Sequence, residues 1–294
     1  MVISVETRWL YVTSEQLPML REASKDTCVI PMGCVEKHGL HLPLGSDIIA
    51  ASGVAYAGSQ LETVAVFPDF IFGDYPDNSP TRPLGSITLP MEMEMDLLEV
   101  LCEQIAANGY KKILVLNGHG GNKSWLAAFS RRLANKKRNF VFATYMIGLP
   151  APHTLSEYLI EHGSGSIPEL TKEDEDLLLD YHKMNMKIGH ACMGETAFMM
   201  ALCPDAVHLD RLGIESGQNL RKTKYLKDAG ISIMDDGWSI NFPNAYEGDD
   251  PIGCNERIGK AALRFEAERF AHAVKVYKDD ENLLKWHEER QKGW

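Results

Sequence analysis

The sequence predicts an α/β fold, with a mostly parallel central sheet covered by helices on its faces. Short runs rich in apolar and β-branched residues alternate with runs at helical spacing, the signature of that class. One run, residues 112–116 (KILVL), is apolar or β-branched almost throughout, as expected of a parallel strand buried on both sides. With 294 residues, 45% of them apolar, the chain is long enough for a full core. We expect a single domain over 1–294, interrupted by one insertion.

The elements follow in order. Residues 27–32 (TCVIPM) read as a strand, and 47–61 as a helix that opens on an aspartate cap. Residues 63–67 (TVAVF) form the next strand, which Pro68 ends. A helix over 91–108 has apolar spacing at Leu97, Leu98, Val100, Leu101 and Ile105, and Gly109 stands at its stop. After 112–116 come a glycine-rich loop over 117–122, a helix from 124 to about 136 and a strand over 139–146. Strand, loop, helix and strand make a βαβ unit, which puts the loop at the carboxyl end of the sheet, where ligands usually bind.

From 150 to about 189 the pattern breaks into prolines, glycines and a charged amphipathic stretch. This reads as an insertion too short for its own core. It is either a surface excursion or a lid or subunit contact near the site. An apolar helix over 197–202 follows. The long helix from 255 to about 278 buries a stripe of Ile258, Ala261, Ala262, Phe265, Phe270 and Val274.

Composition excludes several functions. Lys and Arg number 30 against 41 Asp and Glu, for a formal charge of -11, which argues against nucleic acid or an anionic membrane as partner. The six cysteines are scattered without a C-x-x-C pair and read as reduced thiols of packing value. Glu6 and Arg8 interrupt what a signal peptide would keep apolar, and no run approaches the ~18 apolar residues of a membrane span. A soluble, cytoplasmic protein is expected.

Chemistry concentrates in three places. Glu36 and His38 are two apart after a strand, so extended backbone projects them to one side. Asp47 is either a helix cap or a ligand, and the company of Glu36, His38 and His119 favours the ligand. His119 lies between Gly118 and the pair Gly120 and Gly121, where missing side chains let a substrate approach the backbone. Lys123 and Ser124 after this loop suggest a phosphate loop, but Asn117 and Asn122 stand where its glycines belong. In the third cluster, 189–196 (GHACMGET), His190 reads as a solvated loop residue or a site residue. Glu195 reads as a partner of the helix dipole or a site residue. Mixed imidazole and carboxylate donors suit zinc, manganese or iron in a hydrolase.

The run Pro31 to Asp47, PMGCVEKHGLHLPLGSD, with NGHGGN at 117–122 and the 190–196 segment, resembles the creatininase family of creatinine amidohydrolases and related formamide hydrolases. The resemblance runs from about residue 8 to about 275, outside much of 150–188. It implies a three-layer α/β/α domain, two divalent ions per subunit and usually a homohexamer. By position, Glu36, His38, Asp47 and His119 match the family's metal ligands, with Asp47 as the carboxylate bridging both ions. Glu195 matches the fifth ligand of members with a glycine-rich loop here. Creatininase proper has a glutamate where this chain has Gly121, which shifts the resemblance toward the formamide hydrolases. The family's Gly-Thr-Ile appears as Gly85-Ser86-Ile87, and the stretch 73–82 departs from the common Glu-His pattern.

The expected function is metal-dependent hydrolysis of a carbon–nitrogen bond in a small cyclic amide or formamide, through a hydroxide bridging the two ions. His190 would shuttle a proton to the leaving nitrogen. Asp77, Arg82, Gly120 and Gly121 would contact substrate. One alternative is hydrolytic carbon–carbon ring opening of a cyclic polyol diketone, as in a 3-dehydro-inosose hydrolase. Another, of a different class, is a non-catalytic metal-binding assembly protein.

Overall fold

The computed structural model describes residues 5–75, 82–233 and 237–292. Among them, β1 (Thr27–Met32), β2 (Ala65–Val66), β3 (Lys112–Asn117) and β4 (Val141–Met146) form a parallel sheet in the order β2-β1-β3-β4. β1 and β3 pair in register from Thr27 beside Lys112 to Met32 beside Asn117, so their carboxyl ends stop side by side. From β1 the chain goes to β2 on one side and to β3 on the other. The β1/β3 boundary is therefore the topological switch point, where open α/β sheets bind ligands.

Alternation along the buried strands assigns the two faces. Cys28, Ile30, Met32, Ile113 and Val115 pack with Leu98, Cys102 and Ile105 of α3 (Met91–Ala107) and with Trp125, Phe129 and Leu133 of α4 (Asn122–Ala134). Leu20 of α1 (Leu17–Ala23) joins this layer. Val29, Leu114 and Leu116 face the other way. There they meet α2 (Ser46–Leu61), α7 (Met193–Leu202) and α10 (Glu256–Asp279) through Val54, Phe198 and Phe270. Burying one such large side chain contributes roughly 1.5–3 kcal/mol. The three layers are those expected.

Pro31 sits inside β1, where a proline normally interrupts pairing. Its carbonyl accepts from Phe70 N at 2.8 Å, so the residue faces the β2 side. There the regular ladder ends at Val66 and only an isolated bridge between Met32 and Phe70 follows, leaving no carbonyl in need of a Pro31 N–H. β2 is shorter than the 63–67 expected. Pro68, which cannot donate to a ladder, follows closely.

The 150–189 segment contains α5 (His153–His162) and α6 (Lys172–Lys183). Thr171 opens α6 with a capping box to Asp174. Leu155, Leu159, Ile167 and Leu178 are buried with Ile258, Ala261 and Ala262 of α10, so the segment shares the core of the long helix. Its charged face is anchored where Arg257 Nε and Nη2 reach Asp174 at 2.6 and 3.0 Å. Beyond α7 the chain forms α8 (Lys224–Asp228) and α9 (Gly237–Asn241), and α11 (Asn282–Gln291) follows α10. These short helices carry too little periodicity to be read from sequence.

Candidate metal centre

The three sequence clusters meet at the β1/β3 switch point. The loop after β1 carries Glu36 and His38, the first turn of α2 carries Asp47, the loop after β3 carries His119, and the start of α7 carries Glu195 with His190 just before it. Asp47 does not cap α2: the helix begins at Ser46 behind Gly45, with no side-chain cap. Its carboxylate turns inward instead. One oxygen, Oδ2, lies 2.9 Å from His119 Nδ1, and the other, Oδ1, lies 3.2 Å from His38 Nε2.

Glycines allow this approach. A Cβ at Gly118 would stand 2.3 Å from the Asp47 carbonyl oxygen, and one at Gly33 would stand 2.5 Å from Ile48 N. Any side chain at either position would push the first turn of α2 off the sheet.

Two groups of donor atoms share Asp47, and Glu36, His38 and His190 bring a further set of donor atoms within 4.8 Å of one another. In the first, His119 Nδ1 lies 2.9 Å from both Glu36 Oε1 and Asp47 Oδ2. In the second, His38 Nε2 lies 3.2 Å from Asp47 Oδ1 and 3.7 Å from Glu195 Oε2. Glu36, Asp47, His38 and His119 are almost fully buried.

Main-chain carbonyls fix the rings. His38 Nδ1 donates to Glu36 O at 3.1 Å, His119 Nε2 to Asp74 O at 2.9 Å and His190 Nε2 to Lys37 O at 2.8 Å. A neutral imidazole with one nitrogen so engaged carries a lone pair on the other. In all three rings that second nitrogen faces carboxylates. A lone pair so close to a carboxylate oxygen is repulsive unless a cation lies between them. Glu36 Oε1 and Asp47 Oδ2 indeed have no well-directed hydrogen bond although both are buried and close to His119. Orphaned buried oxygens opposite imidazole nitrogens are the arrangement a divalent ion satisfies, and carbonyls on the outer nitrogens are its usual support.

The local field tells the same story. Burial opposes charge on His38, but the Asp47 carboxylate overrides it and lifts the imidazole to about 10. His119 behaves likewise, raised well above its ordinary value against burial by Glu36 and Asp47. Burial disfavours the Asp47 anion, yet His38 and His119 hold its carboxyl far below the usual range. Glu36 is also lowered, with His119 and His190 outweighing burial. Burial dominates at Glu195 and raises it despite His38. The centre demands positive charge, which protons supply when no metal does.

His190 stands at the mouth. Its Nδ1 is 3.7 Å from Glu36 Oε1, its ring stacks on His38 with centroids 4.1 Å apart, and the edge of Trp238 packs against it. The loop behind it is pinned twice: Ala191 N donates to Glu195 Oε2 at 2.5 Å, and His41 Nε2 donates to Ala191 O at 2.9 Å. That second bond locks a strained residue, since Ala191 has φ 59°. Burial keeps His41 neutral, lowering it to about 4.

A cavity of about 570 Å³ opens over the centre, bordered by Glu36, Asp47, His119, His190 and Glu195. Gly120 and Gly121 line it, and nothing lies within 4 Å of where a Cβ at Gly120 would stand. Arg82 is exposed and does not border this cavity. Asp77 lies outside the described residues. Sequence reasoning missed Trp238 and Glu247, both lining the cavity, with the indole N–H donating to Glu247 Oε2 at 2.6 Å. No spacing signal marks either. It also missed Asp74, which contributes a backbone carbonyl that any residue could supply.

Fold and donor set define an α/β/α protein with an imidazole–carboxylate centre suited to divalent ions at the switch point of its sheet. The chain belongs to the creatininase family, whose model, described as creatinine amidohydrolase, matches residues 11–274. Among curated relatives it is 31% identical over 120 residues to the mycofactocin precursor peptide peptidase of Mycobacterium tuberculosis, covering 37% of this chain and 45% of that protein. It is 26% identical over 113 residues to the 3-dehydro-scyllo-inosose hydrolase of Thermotoga maritima, covering 38% and 36%. The chain thus matches less than half the length of either relative. Among solved structures, a putative creatinine amidohydrolase from Bacteroides fragilis superposes with TM-score 0.69 at 19% identity, covering 95% of this chain and 99% of that one. A creatininase variant of Zn-Zn type and a manganese form of creatininase each superpose with TM-score 0.65 at 16% identity, covering 94% of this chain and 100% of theirs.

Proposed function

We propose that the protein is a divalent-metal-dependent hydrolase that cleaves a carbon–nitrogen bond in a small cyclic amide or formamide. The observation that carries this reading is the pair of donor groups sharing Asp47. Glu36, His119 and Asp47 Oδ2 would hold one ion, and His38, Asp47 Oδ1 and Glu195 a second. Ions so held would lower the pKa of a water toward ~7 and polarise a carbonyl. Zinc and manganese are the leading choices, since the creatininases of the same fold include a Zn-Zn type and a manganese form.

The chain's own groups do the rest. Gly120 and the open space beside it admit the substrate carbonyl to the centre. His190, with Nε2 committed to Lys37 O, directs Nδ1 toward Glu36 Oε1 at 3.7 Å, from where it would take a proton and return it to the leaving nitrogen. The stacked His38 ring and the Trp238 edge hold that imidazole in one orientation. A soluble, cytoplasmic homohexamer is the matching assembly. Among the described residues no helix is long and apolar enough to cross a membrane.

The relative named as a 3-dehydro-scyllo-inosose hydrolase favours a second reading, in which the same centre opens a ring by hydrolytic carbon–carbon cleavage. One experiment separates them. Protein reconstituted with zinc or manganese is offered cyclic amides, N-substituted formamides, short peptides and 3-dehydro-scyllo-inosose, with release of amine or ammonia followed beside release of acid. Amine or ammonia from an amide or formamide is the expected result. Acid from the inosose alone selects the second reading, and amine from peptides alone replaces the small-amide substrate class with peptides. Failure to bind either metal sinks all of these.

A further inference from the structure

Cys34 lies two residues past the end of β1, and its side chain is fully buried. Its surroundings differ from those of Cys28, Cys102 and Cys254, although Cys192 is buried outside the apolar clusters as well. Cys28 and Cys102 sit inside the apolar cluster beneath α3 and α4, and Cys254 sits in the cluster around α10. Cys34 belongs to none of the three apolar clusters. Its Sγ instead groups with a carboxylate oxygen of Glu36 and a ring nitrogen of His119, all within 4.8 Å of one another. The thiol has one weak hydrogen bond, to Gly73 O at 3.5 Å. Within the same group, Glu36 Oε1 is buried and lacks a well-directed partner.

We propose that Cys34 supplies a thiolate to the ion held by Glu36, His119 and Asp47 Oδ2, biasing that position toward zinc over manganese. This rests on the metal-dependent reading above. Thiolate is a soft donor that favours zinc, whereas carboxylates and imidazoles alone also accept manganese. The two positions sharing Asp47 are then chemically unequal. The first has sulfur, nitrogen and oxygen donors, and the second, at His38, Asp47 Oδ1 and Glu195, has nitrogen and oxygen only. On coordination the thiol gives its proton to solvent and nothing is oxidised or reduced.

The test uses the full chain, stripped by chelation and reloaded with cobalt(II) alone as a spectroscopic probe. Wild type is expected to show a thiolate-to-cobalt charge-transfer band in the near ultraviolet. Cys34→Ser and Cys34→Ala should lose that band while still binding cobalt, as read by metal analysis. In zinc–manganese competition, Cys34→Ser should lower the preference for zinc by on the order of 10–100-fold. The wild-type spectrum needs no variant, so a misfolded substitution leaves the test intact. Two cobalt ions bound with no thiolate band would overturn the role of Cys34 and leave the metal-dependent reading standing. A chain that binds no cobalt, zinc or manganese would overturn both.

Discussion

The two ends of β3 both bury charge, and they do so in opposite ways. At the amino end, Lys112 is buried and its Nζ donates to three carbonyls, Asp280 O at 2.6 Å, Lys278 O at 2.9 Å and Tyr277 O at 3.1 Å. It thereby satisfies the otherwise unpaired carbonyls at the negative end of α10. Nearby, Lys278 Nζ donates to Thr63 O at 2.7 Å and pairs with Glu62. At the carboxyl end, carboxylate oxygens of Glu36 and Asp47 are orphaned and three imidazoles direct nitrogens at carboxylates. Buried charge that meets all its partners within the chain holds the fold. Buried charge that does not is shaped for something the chain lacks.

The sharpest way to break this contrast is Asp47→Ala. If one carboxylate serves both groups, its loss should deplete both ions and lower turnover beyond the roughly 10²–10⁴-fold range of a single acid–base group. Glu36→Ala should cost less, since water can replace a terminal ligand. Metal content and turnover measured together decide the matter, and full occupancy of both sites in Asp47→Ala would refute the shared-carboxylate arrangement.

His190→Asn comes next. Turnover should fall by roughly 10²–10⁴-fold, or about 3–5 kcal/mol, with metal stoichiometry unchanged. An emptied site at intact fold would make His190 a ligand and move the proton shuttle elsewhere.

At the other end of the strand, Lys112→Met should cost about 2–4 kcal/mol of stability, because it strands buried carbonyls that had a charged donor. Metal content per folded chain should be unaffected. Urea unfolding beside metal analysis tests this, and depleted metal in well-folded Lys112→Met would erase the division between the two ends.

Glu94 gives the smallest effect and refines the rule. It is buried on α3, its carboxylate has no well-directed hydrogen bond beyond a weak contact from the Leu89 backbone, and no group able to hold a metal ion among the described residues includes it. Burial first, then the Asp74 charge, raises it from 4.5 to about 7. The folded chain therefore keeps a proton that the unfolded chain has released. Its contribution is most favourable below pH 4.5 and worsens as pH rises toward about 7. Glu94→Gln should be more stable than wild type by about 1–3 kcal/mol at pH 8 and by much less at pH 5. Equal unfolding midpoints at pH 8 would show that Glu94 has a partner after all.

Much of this was legible in sequence because it is local. The runs 27–32 and 112–116 carry their own burial pattern, and the spacing of Glu36, His38 and Asp47 announces a donor cluster before any fold is known. The helices of 150–189 were harder to read, because Leu155, Leu159 and Leu178 are buried only by docking on α10. Asp47 shows the limit most clearly. A carboxylate in the first turn of a helix is electrostatically at home as a cap, and only the close approach of α2 to the β3 loop across Gly118 turns it inward.

The sequence by itself determined the alternation of strands and helices, the parallel sheet and the residue types at the centre, since these follow from periodicity and side-chain chemistry. Only the tertiary structure decided how the donors divide into two groups about Asp47. It alone decided which nitrogen of each imidazole is tied to a carbonyl, and that Cys34 leaves the apolar core to stand beside Glu36 and His119. The physical reason is that these relations join residues far apart in the chain, His190 and Lys37 being separated by 153 positions. Sheet register and layer packing bring them together, and neither is written in the spacing of neighbours along the chain.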